Sequence, residues 1–254
     1  VLETSGKPRF TYSLRTRAGA NHLGQRKTNQ DSYIAVTNIG DYEDRHLFGV
    51  CDGHGLNGHF ASGFVKELLP GTLNSRTLKE LIELELLVND PTFDSDPKKA
   101  FVNSYELCNQ RLIISDIDVK FSGTTSVSVL LWGDKIITAN AGDSRAVMGR
   151  VKKGNHKQGH FYQLNSLGGV WDFNELSTDH KPNSIGEAQR ILKQGGRIEP
   201  FRDMEGNFVG PSRVWLMDQD IPGLAMSRSI GDMVAASVGV SCIPGKWASY
   251  ELHC

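Results

Sequence analysis

The chain has 254 residues, 39% hydrophobic and 22% charged, which suits one soluble domain with a sizeable core. Its 28 Lys+Arg nearly cancel its 29 Asp+Glu, so no overall charge draws it to nucleic acid or to an anionic membrane, and any phosphate recognition has to be local. The four cysteines, Cys51, Cys108, Cys242 and Cys254, form no CxxC pair and no Cys/His cluster, which excludes a zinc finger and a disulfide framework and points to a reducing compartment. The N-terminus has no apolar signal core, and no apolar run reaches the roughly 18 residues that span a membrane, so a cytosolic or nuclear protein is expected.

In chain order, "SYIAVTN" and "HLFGVCD" read as strands separated by the polar "IGDYEDR". "NGHFASGFVKELLP" places Phe60, Ala61, Phe64, Val65, Leu68 and Leu69 on one helical face and stops at Pro70. "RTLKELIELELLV" is a second helix. A third starts in "SDPKKAFVNSYELCNQRLIIS", where Asp96 can cap free backbone N–H groups and Pro97 sits in the first turn, where its missing N–H costs nothing. "TTSVSVLLWGDKIITANAGDSRAVMGR" is rich in β-branched residues and broken at Gly133-Asp134 and Gly142-Asp143, which predicts a three-stranded meander. "SIGEAQRILKQGG" is a fourth helix, with Ser184 and Glu187 spaced as a capping box and Gly195-Gly196 at its end. Strands in runs, without regular βαβ alternation, predict an α+β layered fold with antiparallel sheets.

Three aspartates share one context: Asp52 after "LFGVC", Asp143 after "IITANAG" and Asp232 after "LAMSRSIG". Each follows a mostly apolar segment and lies beside glycine, which lets the backbone bend tightly or approach an ion closely. Taken singly, Asp52-Gly53 reads as a turn closing a strand; three such positions shift the balance towards a site. Carboxylates clustered at strand ends stay ionised at neutral pH only when a cation neutralises them, and oxygen ligands select hard ions, Mg²⁺ or Mn²⁺, over zinc. His54 and His59 fall on different helical faces and make no zinc pair; His54 suits an acid or base beside the metals, against the alternative of a hydrogen-bonded structural histidine. No cysteine is followed six positions later by the arginine of a cysteine phosphatase loop: those positions hold Asn57, Ile114 and Ala248. Neither a G-x-S-x-G elbow nor a G-x-x-x-x-G-K-[ST] loop occurs.

With "GQRKTNQDSY", "FGVCDGHG", "SGTTSVSVLL", "NAGDSRAV", "LSTDHKP", "GGRI" and "PGLAMSRSIGD" in that order over most of its length, the chain resembles the PP2C-type (PPM) metal-dependent serine/threonine protein phosphatases. The resemblance implies a single domain over 1–254, built as a central sandwich of two antiparallel β-sheets flanked by α-helices in a four-layer αββα order, acting as a monomer on phosphorylated proteins. It implies that Asp52 bridges two Mg²⁺ or Mn²⁺ ions, that the Gly53 carbonyl also coordinates, that Asp232 is a further ligand and that Asp143 helps hold a weaker third ion. Arg26 matches the arginine that grips the substrate phosphate, and its planar fork of donors suits that task. His54 matches the general acid. Gln30 stands where a glutamate is common, and Asp31 keeps the adjacent acid. The implied reaction is direct hydrolysis of phosphoserine or phosphothreonine by a water shared between two ions about 4 Å apart. "FRDMEGNFVGPSRVW", with Gly206 at a hairpin turn, takes the place of the family's variable flap, where substrate choice is expected.

The family's apolar strand ending in Ser-Asp-Gly and its late Asp-Asn pair have no counterpart in "GKWASYELHC". The expectation is a C-terminally shortened chain, lacking the last strands of the family fold, with weak metal binding and low activity. The alternative function is a pseudophosphatase that holds a phosphoprotein or regulatory partner on the same surface. A metal-dependent nuclease is disfavoured because no basic, aromatic-interleaved surface stands out. "KKGNHKQGHFYQLNSLGGVWDFNE" reads as a long solvated loop, with no role for His156 or His160.

Overall fold

The computed structural model of the chain describes residues 10–39, 42–70, 90–151, 162–163 and 170–251. The helix expected over "RTLKELIELELLV", together with His156, His160 and Cys254, lies outside the described residues.

The largest sheet has seven strands: β1 (Asp31–Thr37), β2 (Arg45–His54), β3 (Gly123–Thr124), β4 (Ser126–Trp132), β5 (Lys135–Ala141), β12 (Ile230–Gly231) and β13 (Gly245–Glu251). Its order is β12-β3-β2-β4-β5-β13, with β1 also paired to β2. All of these pairings are antiparallel. On β2, Leu47, Gly49 and Cys51 alternate with Phe48, Val50 and Asp52. Period-two alternation sends the first set towards the helices and the second to the opposite face. In the β1–β2 register Ile34 opposes Gly49 and Asp31 opposes Asp52. The segment before β1 crosses that opposite face, where Phe10 meets His46 edge-on at 4.4 Å and Tyr12 meets Phe48 at 5.3 Å.

Two helices cover the other face, α1 (Gly58–Leu68) and α2 (Pro97–Ile114). Ala61, Val65, Leu68 and Leu69 pack with Phe101, Tyr105, Cys108, Leu130, Ile137 and Ala139 in the main core. Phe60 departs from the expected apolar face. It is 55% exposed, because the buried stripe of α1 runs through 61, 65 and 68, and its ring rests on His59 at 3.9 Å. The N-terminus of α2 forms as read from sequence: Asp96 accepts a hydrogen bond from Lys99 N at 3.1 Å, and proline occupies the first turn. Inside the core the Tyr105 hydroxyl lies 3.0 Å from Ser126 Oγ and 3.2 Å from Ser128 Oγ, which satisfies three otherwise buried hydroxyls and fixes α2 on β4.

The remaining strands form two three-stranded antiparallel sheets. In one, β6 (Val147–Val151), β7 (Tyr162–Gln163) and β8 (Val170–Glu175) pair in the order β6-β8-β7. The predicted meander therefore stops at the β4–β5 hairpin. Its third strand goes elsewhere, because the free edge of β5 is taken by β13, with Ala248 opposite Thr138, while Leu176 and Ser177 hold Ala146 at the start of β6. The stretch read as a solvated loop contributes β7 and β8 to this sheet. In the other, β9 (Gly196–Arg202), β10 (Phe208–Leu216) and β11 (Gln219–Leu224) pair in the order β11-β10-β9. Helices α3 (Ile185–Lys193) and α4 (Met233–Ala236) contribute Ile191 and Ala235 to a second core with Val214, Leu224, Val238 and Val240. The β9–β10 turn is the predicted hairpin: Asp203 accepts from the amides of Glu205 and Asn207 at 3.0 and 2.8 Å, and Gly206 takes φ +84°. The capping box at α3 does not form. Ser184 makes no side-chain cap, and the Glu187 carboxylate is drawn instead to Arg190, Ser227 and Arg228. The α+β class with antiparallel sheets flanked by helices is the one expected from the sequence.

Candidate active site

The ends of three strands, β2, β3 and β12, meet at one side of the large sheet. Strand β3 is the bridge: Gly53 and His54 of β2 pair with Thr124 and Gly123, which pair in turn with Ile230 and Gly231 of β12. This brings His54 and Asp232, 178 positions apart in sequence, to 2.6 Å between Nε2 and Oδ2. Asp232 is 2% exposed, adopts a left-handed φ of +46°, and also accepts from Ser229 Oγ at 2.5 Å. A non-glycine residue in that region of backbone space needs surroundings that hold it there. Glycine at 123 is required for the same contact, since a Cβ there would come within 2.3 Å of Asp232 Oδ2.

Asp52 is exposed, one step before this point on β2. Its amide donates to Thr125 Oγ1 at 2.9 Å and its carbonyl accepts from Thr125 N at 3.0 Å, so β3–β4 fixes its backbone. Thr125 Oγ1 lies 2.6 Å from Ser144 Oγ, next to Asp143. Gly53 sits in a close cradle, where a Cβ would meet Gly58 O at 2.1 Å and Gln30 O at 2.7 Å. Gln30 accepts from Gly53 N at 3.1 Å and from Ser62 Oγ at 2.6 Å, and donates through Nε2 to Gly55 O at 3.1 Å. It thus clamps the turn from β2 into α1.

Electrostatics separate the four aspartates into two kinds. Partial withdrawal from water, then the opposed Asp31 carboxylate, push the Asp52 carboxyl above its usual value; Asp143 adds to this and His54 offsets part of it. Asp143 and Asp232 have cationic partners of their own. Lys181 Nζ lies 2.5 Å from Asp143 Oδ2, and His54 is held by Asp232. Burial works against charge on His54, yet the hydrogen bond and charge of Asp232, with Asp52 and Asp143, outweigh it and raise the imidazole above its ordinary value. His54 Nδ1 is buried and has no hydrogen-bond partner among the described residues.

Residues 16–245 match the family model for protein phosphatase 2C. The chain belongs to the protein phosphatase 2C family. It is 34% identical to the Arabidopsis thaliana "Probable protein phosphatase 2C 35" over 249 residues, covering 92% of this chain and 63% of that protein. It is 31% identical to "Probable protein phosphatase 2C 48" of Oryza sativa subsp. japonica, covering 96% of this chain and 67% of the relative. Among solved structures, a serine-threonine phosphatase 2C from Toxoplasma gondii shares the fold with a TM-score of 0.66 at 22% identity, over 90% of this chain and 71% of that one. The chain spans 63%, 60% and 59% of the length of three Arabidopsis relatives.

Within this protein phosphatase 2C fold, the expected site residues assemble in part. Asp31, Asp52, Gly53, His54, Asp143 and Asp232 converge on the same end of the sheet. Among the described residues, however, no group of three or more His, Cys, Asp or Glu is disposed to hold a metal ion. The part that fits a hard divalent cation is the Asp31–Asp52 pair, whose like charges directly opposite one another are unfavourable without a cation. Asp143 and Asp232 stand close by but are held by Lys181 and His54. Arg26 ends a tight loop in which Asn21 Oδ1 accepts from Leu23 N and Gln25 N at 3.0 and 2.9 Å; its side chain is exposed and makes no ion pair among the described residues.

Reading the sequence missed Thr125, Ser144, Lys181 and Ser229 as partners of these acids. Lys181 lies in the "LSTDHKP" motif and Ser229 in "MSRSIGD", so the motifs contained them. Nothing local assigned their contacts.

Proposed function

We propose that the protein hydrolyses phosphoserine and phosphothreonine in proteins with the help of Mg²⁺ or Mn²⁺ ions held at Asp31 and Asp52. The observation that carries this reading is the opposition of those carboxylates beside a His54–Asp232 pair, in a chain of this family. Gly53 suits a close approach of backbone to an ion, and Asp143 and Asp232 are the acids nearest at hand for a second and a weaker third ion. When bound, divalent ions there supply an acidified water and offset negative charge on the phosphoryl oxygens.

The chain's own residues do the rest. Asp232 orients the His54 ring through Nε2 and favours its protonated form, which suits His54 to protonate the seryl or threonyl oxygen as the P–O bond breaks. Arg26, free of carboxylate partners among the described residues, is the donor fork for the substrate's phosphate. We assign the protein to the cytosol or nucleus and regard it as a monomer.

The test is phosphate release from a phosphothreonine peptide with Mn²⁺, alongside calorimetric titration of Mn²⁺ into the protein and into Asp31→Asn and Asp52→Asn variants. Release that stops on chelation, with heat of binding lost in both variants, supports the reading. No release with either metal overturns the enzymatic part. Unchanged Mn²⁺ binding in both variants overturns the metal assignment.

A further inference from the structure

A cleft of about 290 Å³, lined in part by His54 and Asp232, is walled by Phe121, Pro222, Leu224 and Met226, with Arg213 also in its lining. Its volume lies at the lower end of the roughly 300–1,000 Å³ typical of ligand pockets, a size that suits a side chain or two. Apolar walls, the paired His54 and Asp232, and Arg213 make it a recognition surface of mixed character.

Arg213 has an unusual position among the arginines of its sheet. On β10 it stands in register with Glu199 of β9, which would be its natural cross-strand partner. Glu199 is already taken, by Arg197 next to it on the same strand face and by Arg202 at 3.0 Å. Arg197 in addition reaches Asp220 at 2.7 Å. Arg213 donates through Nη1 to Gly223 O at 2.7 Å, which fixes the guanidinium over the cleft, and among the described residues it has no carboxylate partner. Gly223 is held in that place, with φ +74° and a Cβ position that would lie 2.8 Å from the Trp215 ring. A guanidinium oriented by a backbone carbonyl, with donors left over and no anion of its own, is prepared for an oxyanion from outside.

We infer that the Arg213 cleft is a specificity subsite that takes an anionic side chain, a carboxylate or a second phosphate, on a residue flanking the phosphoserine or phosphothreonine of the substrate. The inference rests on the proposed phosphatase reading for the location of the phosphoresidue at His54. It goes beyond that reading in naming which substrates are preferred.

The experiment measures equilibrium binding of peptides carrying a non-hydrolysable phosphonate in place of the phosphate, with alanine, lysine, glutamate or phosphoserine at each flanking position. The full chain and its Arg213→Met and Arg213→Glu variants are compared. One flanking position is expected to favour an anion by roughly tenfold or more in Kd, the size of a charge-assisted hydrogen bond. That ratio falls to about one in Arg213→Met and inverts in favour of lysine in Arg213→Glu. The glutamate and phosphoserine arms show which oxyanion is the better ligand. An anion preference that survives in Arg213→Met, or no preference at any position in the unaltered protein, overturns the inference. Phosphate release measured separately on hydrolysable peptides distinguishes the two failures: a protein that binds anionic peptides selectively but releases no phosphate sinks the enzymatic reading and leaves the subsite standing.

Discussion

Arg228 Nη2 lies 2.6 Å from Glu187 Oε1, so a carboxylate on α3 holds the segment that leads through Ser229 into Asp232. The same carboxylate accepts from Arg190 Nη2 and Ser227 Oγ, each at 2.7 Å, while Arg228 Nη1 donates to Ile243 O at 2.8 Å. One buried acid therefore ties α3 to both chain segments beside it. Even against the cost of burial, its two guanidiniums and Ser227 hold Glu187 far below the usual carboxylate range.

Replacing Glu187 with Ala leaves two partly buried arginines without their anion. Breaking such a pair from one side costs about 3 kcal/mol or more. Urea denaturation of Glu187→Ala is expected to show a loss of that size, with a smaller one for Glu187→Asp. A loss below about 1 kcal/mol would mean that the cluster is decorative.

His180 gives the protein a second acid-sensitive point. Its Nδ1 accepts from Gly142 N at 3.2 Å, and burial, then the charge of Arg228, lowers its pKa to about 4. The unfolded chain takes up a proton near 6.5, before the folded one does, so His180 contributes stability in full above pH 6.5 and loses it as pH falls towards 4. The gap amounts to about 3 kcal/mol. Stability measured across that window is expected to decline in the unaltered protein and to decline less in His180→Asn. Glu187 adds to acid sensitivity from the lower end of this window downward, since its depressed pKa makes its contribution present above about pH 4.5 and lost on further acidification.

The His54 titration reports on Asp232 directly. In the unaltered protein the imidazole proton resonance is expected to titrate above 6.5, and in Asp232→Asn below its position in the unaltered protein, because the charge and hydrogen bond that offset burial are gone. An unmoved titration in the variant would separate the two residues.

Gly123→Ala is expected to displace Asp232 and break the His54 contact, because the new methyl would stand 2.3 Å from Oδ2 and 2.7 Å from Ile230 O. The cost is about 1–3 kcal/mol of stability. The His54 resonance should shift in the same direction as in Asp232→Asn.

Much of the frame was legible in the sequence because its signals are local. The alternation in "HLFGVCD", the Asp96-Pro97 start of α2 and the turn at Gly206 each specify their own structure. The failures are contacts that span the chain. Ser184 and Glu187 have capping-box spacing, but Arg228, 41 positions away, offers Glu187 a charged partner that outcompetes a backbone amide. Strand β6 reads as the third strand of a meander until β13 occupies the edge it would need. Within the site, motif reading located the acids and His54, but not that Lys181 and His54 already neutralise two of them. Nor does any local signal mark Arg213, whose cross-strand Glu199 is engaged by Arg197 and Arg202.

The β1–β2 register couples two things that could have been separate. Asp31 faces Asp52 in the same alignment that buries Ile34 over Gly49. A slip by one residue would turn Ile34 outward and carry Asp31 to the helix-covered side. The hydrophobic core thus proofreads the acid pair: a molecule that has buried its β1 correctly has, by the same step, set its two carboxylates face to face.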